Sequence, residues 1–240
     1  MKLGTFSQIA ISVQDVEVSL PFYEILGFKI IDKNSVPNPW ALLTDGIVYF
    51  LLYQFEFQSP ALNYFAADMK ERVDFFQQRH IPFSHNEDAE NNITQEMLFS
   101  PDGIGILLIY FDMQVEFPAQ KKSHTHCGTF GEFSIITQDI RSSLAFWSQF
   151  EYAILNSEEK PYPWAALSDG LMTLGLHQTT DFEKNSLTYF SQNSAERIDY
   201  LKSKGIQFTD EIKDKSCRTI HATAQAPDGQ MFFIFYGEVK

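Results

Sequence analysis

The sequence predicts an α+β fold of two tandem, pseudo-twofold-related modules, each a pair of βαβββ units whose curved mixed sheet surrounds a cavity. Two observations carry this expectation. The chain repeats itself at a nearly constant displacement, and within each copy the apolar period switches between the 2 of a strand and the 3.6 of a helix in one fixed order.

The repeat is collinear. Gln14-Asp15-Val16 through Ser19-Leu20-Pro21-Phe22-Tyr23 returns 124 positions later as Gln138-Asp139-Ile140 through Ser143-Leu144-Ala145-Phe146-Trp147. Pro37-Asn38-Pro39-Trp40-Ala41 returns at the same displacement as Pro161-Tyr162-Pro163-Trp164-Ala165. Glu71-Arg72-Val73-Asp74 returns at 125 and Pro101-Asp102-Gly103 at 126. The sequence therefore divides into a first module over 1–112, a linker over 113–129 and a second module over 130–240. The two copies are expected to pack about a pseudo-twofold, with a shared groove or one cavity each as the place for a ligand.

The elements of the first copy follow in order. Residues 8–13 alternate polar and apolar like a half-buried strand. Asp15 is an N-cap before an amphipathic stretch carrying Val16, Leu20, Tyr23 and Leu26, and Gly27 stops that helix. Residues 29–32, 40–43 and 47–53 read as strands, the last two joined by Asp45-Gly46. Residues 62–66 form a further strand and 70–79 a second helix, with an irregular stretch near 86–92. Residues 97–100 and 106–111 close the copy as a hairpin around Pro101-Asp102-Gly103.

Composition removes several functions. With 44% hydrophobic and 20% charged residues, the 240-residue chain has an ordinary globular balance. Its net charge of −13 and the absence of a basic patch disfavour nucleic acid. No apolar run approaches the ~20 residues that cross a bilayer, and the N-terminus lacks a signal-peptide pattern, so a cytoplasmic protein without membrane contact is expected. Cys127 and Cys217 are isolated, which argues against a disulfide framework and a thiolate zinc site. No phosphate-binding glycine loop or nucleophile elbow is present.

The strand, Asp15, Ser19, Phe22-Tyr23 and Gly27-Phe28 pattern, the Trp-Ala-Leu-Leu segment and the Pro-Asp-Gly hairpin together resemble the vicinal oxygen chelate superfamily, which contains glyoxalase I, bleomycin resistance proteins and extradiol dioxygenases. The resemblance covers nearly the whole chain, once in each half. It implies a divalent metal held by His and Glu on the concave face. The implied ligand positions fall on Gln8 and Glu132 in the first strands, Leu62 and Leu187 in the strands that open the second units, and Leu107 and Phe233 in the last strands. A fourth falls near Leu51 and Gly175. Of these only Glu132 is a metal ligand by type, and one carboxylate does not hold a catalytic metal.

Strand alternation selects the remaining candidates. Glu132, His177 and His221 form the catalytic set and an off-pattern 2-His-1-carboxylate metal site if any metal is bound. Gln8, Ser12, Tyr49, Tyr53, Tyr64, Ser134, Thr173 and Tyr189 are expected to line the ligand cavity. His124 and His126 read as solvated linker residues, and Trp40 and Trp164 as structural. The expected function is a small-molecule-binding protein of the glyoxalase and bleomycin-resistance type without the usual metal triad or any cofactor. Its expected ligand is aromatic or cationic, and the protein is a monomer or homodimer. The alternative is a divergent glyoxalase-like or extradiol-dioxygenase-like lyase or oxygenase that uses Fe, Zn, Ni or Mn.

Overall fold

The computed structural model describes residues 1–112 and 122–239, so residues 113–121 of the expected linker lie outside the described residues. The first module runs β1 (Phe6–Ser12), α1 (Val16–Leu26), β2 (Lys29–Asn34), β3 (Trp40–Thr44), β4 (Tyr49–Tyr53), then β5 (Ala61–Ala66), α2 (Met69–Gln78), β6 (Ser84–Glu87), β7 (Ile93–Phe99) and β8 (Gly105–Tyr110). The second repeats the order as β9 (Thr129–Ile136), α3 (Ile140–Ser148), β10 (Ala153–Glu158), β11 (Trp164–Ser168), β12 (Thr173–His177), β13 (Ser186–Ser191), α4 (Ser194–Ser203), β14 (Phe208–Lys213), β15 (Thr219–Gln225) and β16 (Met231–Tyr236). Each module is thus two βαβββ units.

Each set of eight strands forms one mixed sheet, ordered β2-β3-β4-β1-β5-β8-β7-β6 and β10-β11-β12-β9-β13-β16-β15-β14. The two units of a module join through their first strands, β1 with β5 and β9 with β13, in antiparallel pairs. The parallel pairs β1–β4 and β5–β8 each require a crossover, and α1 and α2 supply it on the same face.

Local chemistry sets the element ends. Asp15 Oδ1 accepts from the backbone N–H of Glu17 at 2.9 Å and of Val18 at 3.4 Å, satisfying donors that the first turn of α1 leaves free. Gly27, at φ +92°, closes the helix. Asp139 repeats the N-cap on Arg141 N.

The helix-bearing faces of the two sheets meet, and one continuous core runs through both modules. Phe22 and Tyr23 of α1 pack on Phe232 of β16, each with ring centroids 5.8 Å apart. Phe75 and Phe76 of α2 pack on Phe150 at 6.3 and 6.1 Å. Polar groups cross the same junction. Tyr189 OH donates to Asp45 Oδ2 at 3.0 Å, Tyr23 OH to Asp228 Oδ2 at 3.1 Å and Ser143 Oγ to Asp102 Oδ1 at 2.7 Å, while Tyr64 and Tyr152 share a hydrogen bond.

This arrangement corrects two expectations. Tyr64 and Tyr189 do not line a concave cavity: both are fully buried in the junction, on the helix-bearing faces. His124 and His126 are not solvated linker residues. Segment 122–128 packs between the modules, with His124 N bonded to Asp45 O and His126 N to Leu26 O in the first, and the His126 ring 4.5 Å from Tyr200 in the second. Among the described residues no helix is long and apolar enough to cross a membrane.

Candidate functional site

The helix-bearing faces meet at the junction, and cross-strand register states which side chains share the opposite, largely buried face of each sheet. In the first module Gln8 pairs with Asn63, which pairs with Leu107. In the second, Glu132 pairs with Thr188, which pairs with Phe233. The middle positions are therefore Asn63 and Thr188. Leu62 and Leu187, one residue earlier, point into the core, because neighbouring residues of a strand face opposite sides.

In the second module these positions build a hydrogen-bonded cluster. His177 Nε2 lies 2.6 Å from Glu132 Oε1, and Ser134 Oγ donates to the same oxygen at 2.8 Å. Thr188 Oγ1 lies 2.6 Å from Ser134 Oγ. Since Ser134 spends its only proton on the carboxylate, Thr188 donates to Ser134. Glu132 and His177 are 11% and 13% exposed, so the pair is nearly desolvated, and its hydrogen bonds are correspondingly stronger than in water.

Gly175 makes the pair possible. A Cβ at this position would sit 2.1 Å from Glu132 Oε1, well inside contact distance, so the carboxylate lies across β12 only because residue 175 has no side chain. Aromatic rings enclose the imidazole. Trp164 stacks parallel to His177 with centroids 6.4 Å apart, and Tyr162 and Phe182 meet it edge-on at 5.9 and 5.6 Å. Phe182 also packs on Phe233 at 5.3 Å. Burial, followed by the Asp181 and Glu132 carboxylates, pushes the Tyr162 phenol above its usual range and keeps it a neutral donor. His177 Nδ1 is buried without a hydrogen-bond partner among the described residues.

The structure thus brings together Glu132, Ser134 and His177. Thr173 is on the strand beside them, one residue before Leu174, the partner of Phe133. His221 is not brought to them. It lies on β15, separated from β9 by β16 and β13, where Nδ1 accepts from Tyr236 N at 3.1 Å and the ring packs on Phe235. Tyr162, Phe182 and Thr188 were missed in the sequence. Trp164, read as structural, lines the site; its place opposite His177 in the β11–β12 pair carries it there.

The first module carries a different set at the same positions. Gln8 stands for Glu132, Leu51 for Gly175 and Tyr53 for His177. Tyr53 accepts from Asn38 Nδ2 at 3.4 Å and stacks on Phe55, Ser12 Oγ donates to Phe55 O at 2.8 Å, and Tyr49 packs edge-on against Phe6 at 4.9 Å. With Gln8 and Tyr53 in place of the acid and the imidazole, no acid–imidazole pair forms there.

No family model matches the chain, and no curated protein matches it in sequence. Solved structures do. Catechol 2,3-dioxygenase superposes over 100% of this chain and 90% of its own, with a TM-score of 0.63 at 14% identity. A variant of homoprotocatechuate 2,3-dioxygenase from Brevibacterium fuscum matches over 99% and 72%, with a TM-score of 0.65 at 11% identity. The 2,3-dioxygenase LapB from Pseudomonas sp. KL28 matches over 97% and 91%, with a TM-score of 0.60 at 13% identity. The chain has the vicinal oxygen chelate fold. It shares that fold with these extradiol dioxygenases.

The sequence resemblance implies a divalent metal on this face of the sheet, and the donor set decides whether one fits. Phe233 offers no donor atom. Thr188 is committed to Ser134, and Glu132 Oε1 is already bonded by His177 and Ser134. Among the described residues no group of three or more His, Cys, Asp or Glu is arranged around a common point. The residues present do not fit a divalent metal, which needs about three protein donors of suitable type.

Proposed function

We propose that this vicinal oxygen chelate chain is a small-molecule-binding protein of the glyoxalase and bleomycin-resistance type that holds its ligand on the second module's concave face without a metal. The observation that carries the reading is the Glu132–His177 pair, desolvated, braced by Ser134 and walled by Tyr162, Trp164 and Phe182. Such a setting suits a flat aromatic ligand. Rings supply stacking area, and the imidazole and the Tyr162 phenol supply hydrogen bonds that fix orientation.

The test screens aromatic compounds, catechol among them, for a rise in melting temperature of the full chain. A ligand at ~100 times its Kd adds about 2.7 kcal/mol of stability. The rise is expected to vanish in His177→Ala and in Gly175→Ala, whose new Cβ displaces the carboxylate. A rise of equal size in both variants would place the ligand elsewhere.

The fold match favours a second reading, a divergent extradiol-dioxygenase-like enzyme. Mass spectrometry of protein dialysed against Fe, Zn, Ni and Mn separates the two. The binding reading expects less than about 0.1 equivalent of any metal, since a single carboxylate with one imidazole retains metal poorly. Near-stoichiometric metal that is lost in Glu132→Gln would establish the enzyme reading instead.

A further inference from the structure

A cleft of about 870 Å³ opens at the junction of the modules, between the end of β1, the start of α1, the loop after β4 and the Pro227-Asp228 turn. It shares no residue with the Glu132 site. Its loop wall is braced in place: Ser12 Oγ donates to Phe55 O at 2.8 Å, Ser12 N to Ser59 Oγ at 3.0 Å, and Gln58 Nε2 to Gly103 O at 2.6 Å. A preformed wall removes part of the ordering cost of binding.

Two features of the lining point to a ligand. The first is charge. Asp15, Glu56 and Asp228 line the cleft, and no Lys or Arg does among the described residues. Asp228 lies deepest of the three, held by Tyr23 OH at 3.1 Å and Gln230 N at 3.0 Å, with burial pushing its carboxyl up. The second is exposed apolar surface. Val18 and Phe55 are 63% and 54% exposed, and the Phe55 ring lies nearly parallel to Tyr53, 5.7 Å away.

The duplication supplies an internal control. Gln54 accepts from Val16 N at 3.4 Å, and its counterpart Gln178 accepts from Ile140 N at 3.1 Å, so both copies keep the scaffold of this corner. At the same displacement Val18, Phe55 and Glu56 become Ser142, Thr179 and Thr180. The fold stands with small polar residues at these positions. Phe55 and Val18, more than half in water, contribute little burial in return.

We propose that this cleft binds a small organic cation with an aromatic or branched apolar body, the cationic head facing Asp228 and Glu56 and the body lying on Phe55 and Val18. Cation–π attraction to Phe55 and charge attraction to the carboxylates act together, in a corner lined by no Lys or Arg among the described residues. The inference is independent of the proposed function at Glu132.

Titration calorimetry of the full chain with benzyltrimethylammonium, benzyl alcohol and phenylacetate tests it. The cation alone is expected to bind, more weakly as salt rises. Glu56→Gln, at an exposed position and so without effect on melting temperature, and Phe55→Ala, which also gives up the ring contact with Tyr53, are expected to weaken it by about tenfold each. Thr179→Ala, at the counterpart of Phe55, is expected to leave binding unchanged. Absence of binding at millimolar cation, equal binding of the alcohol, or indifference to both cleft variants would overturn the proposal.

Discussion

Glu96 shows how far one side chain can depart from the repeat. It sits on β7, fully buried, facing α2, and neither carboxyl oxygen has a hydrogen-bond partner among the described residues. Desolvation raises its pKa from 4.5 to about 7, the Arg72 guanidinium opposing the shift and Asp68 adding to it. The second module carries Ala222 at this position, opposite Ile234 as Glu96 is opposite Leu108, so the fold does not need an acid there. Between pH 4.5 and 7 the folded chain holds a proton on Glu96 that the unfolded chain has released. The stability it contributes is therefore complete below pH 4.5 and is lost as pH rises through about 7. Denaturant unfolding of wild type and Glu96→Gln across that range is expected to show the variant gaining on the wild type as pH rises. A constant difference between them would mean that Glu96 finds a partner when ionised.

At the level of elements, what could be read in the sequence depended on how each one buries. The capped helices and the inner strands show their period because one face enters the core. Strands β6 and β14 do not, since nearly every residue of SHNE and FTDEIK is exposed and no apolar alternation marks them; β6 and its turn therefore read as irregular. The site was legible to the same degree. Glu132, Ser134 and His177 alternate onto one face within single strands, but Thr188 depends on the register of β13 against β9, which shifts between Thr188 and Tyr189. A one-residue slip turns a concave position into a core one, and only the paired strands settle it. The same comparison of copies yields a prediction for α1. Pro21 is exposed within the helix and lacks the N–H that would reach Glu17 O, while α3 carries Ala145 there. Pro21→Ala is expected to stabilise the protein by ~1–3 kcal/mol, the restored hydrogen bond outweighing the greater freedom of the unfolded chain. Urea unfolding measures it, and a loss of stability would show that α1 is strained around the proline by design of its contacts with Phe232.

For the molecule as a whole, the junction decides whether the two modules behave as one body. Its aromatic contacts and its Asp–Tyr and Asp–Ser bonds each join an atom of one module to an atom of the other. Tyr189 is the sharpest probe. Its hydroxyl, on β13, donates to Asp45, whose other oxygen holds the β3–β4 turn through Ile47 N at 2.7 Å and Val48 N at 2.8 Å. Burial already pushes the Asp45 carboxyl up, so removing a donor leaves a desolvated acid with less compensation. Tyr189→Phe is expected to cost ~1–3 kcal/mol, since the phenyl ring keeps its packing and only the hydrogen bond is lost. In a chain of this size each kcal/mol lowers Tm by roughly 2–4 °C. Because the bond spans the junction, calorimetry is expected to show one transition before and after the substitution, displaced as a unit, with calorimetric and van't Hoff enthalpies equal. Two transitions in the wild type, or a shift confined to one of them, would mean that each βαβββ pair completes its own core and that the shared one is only an interface.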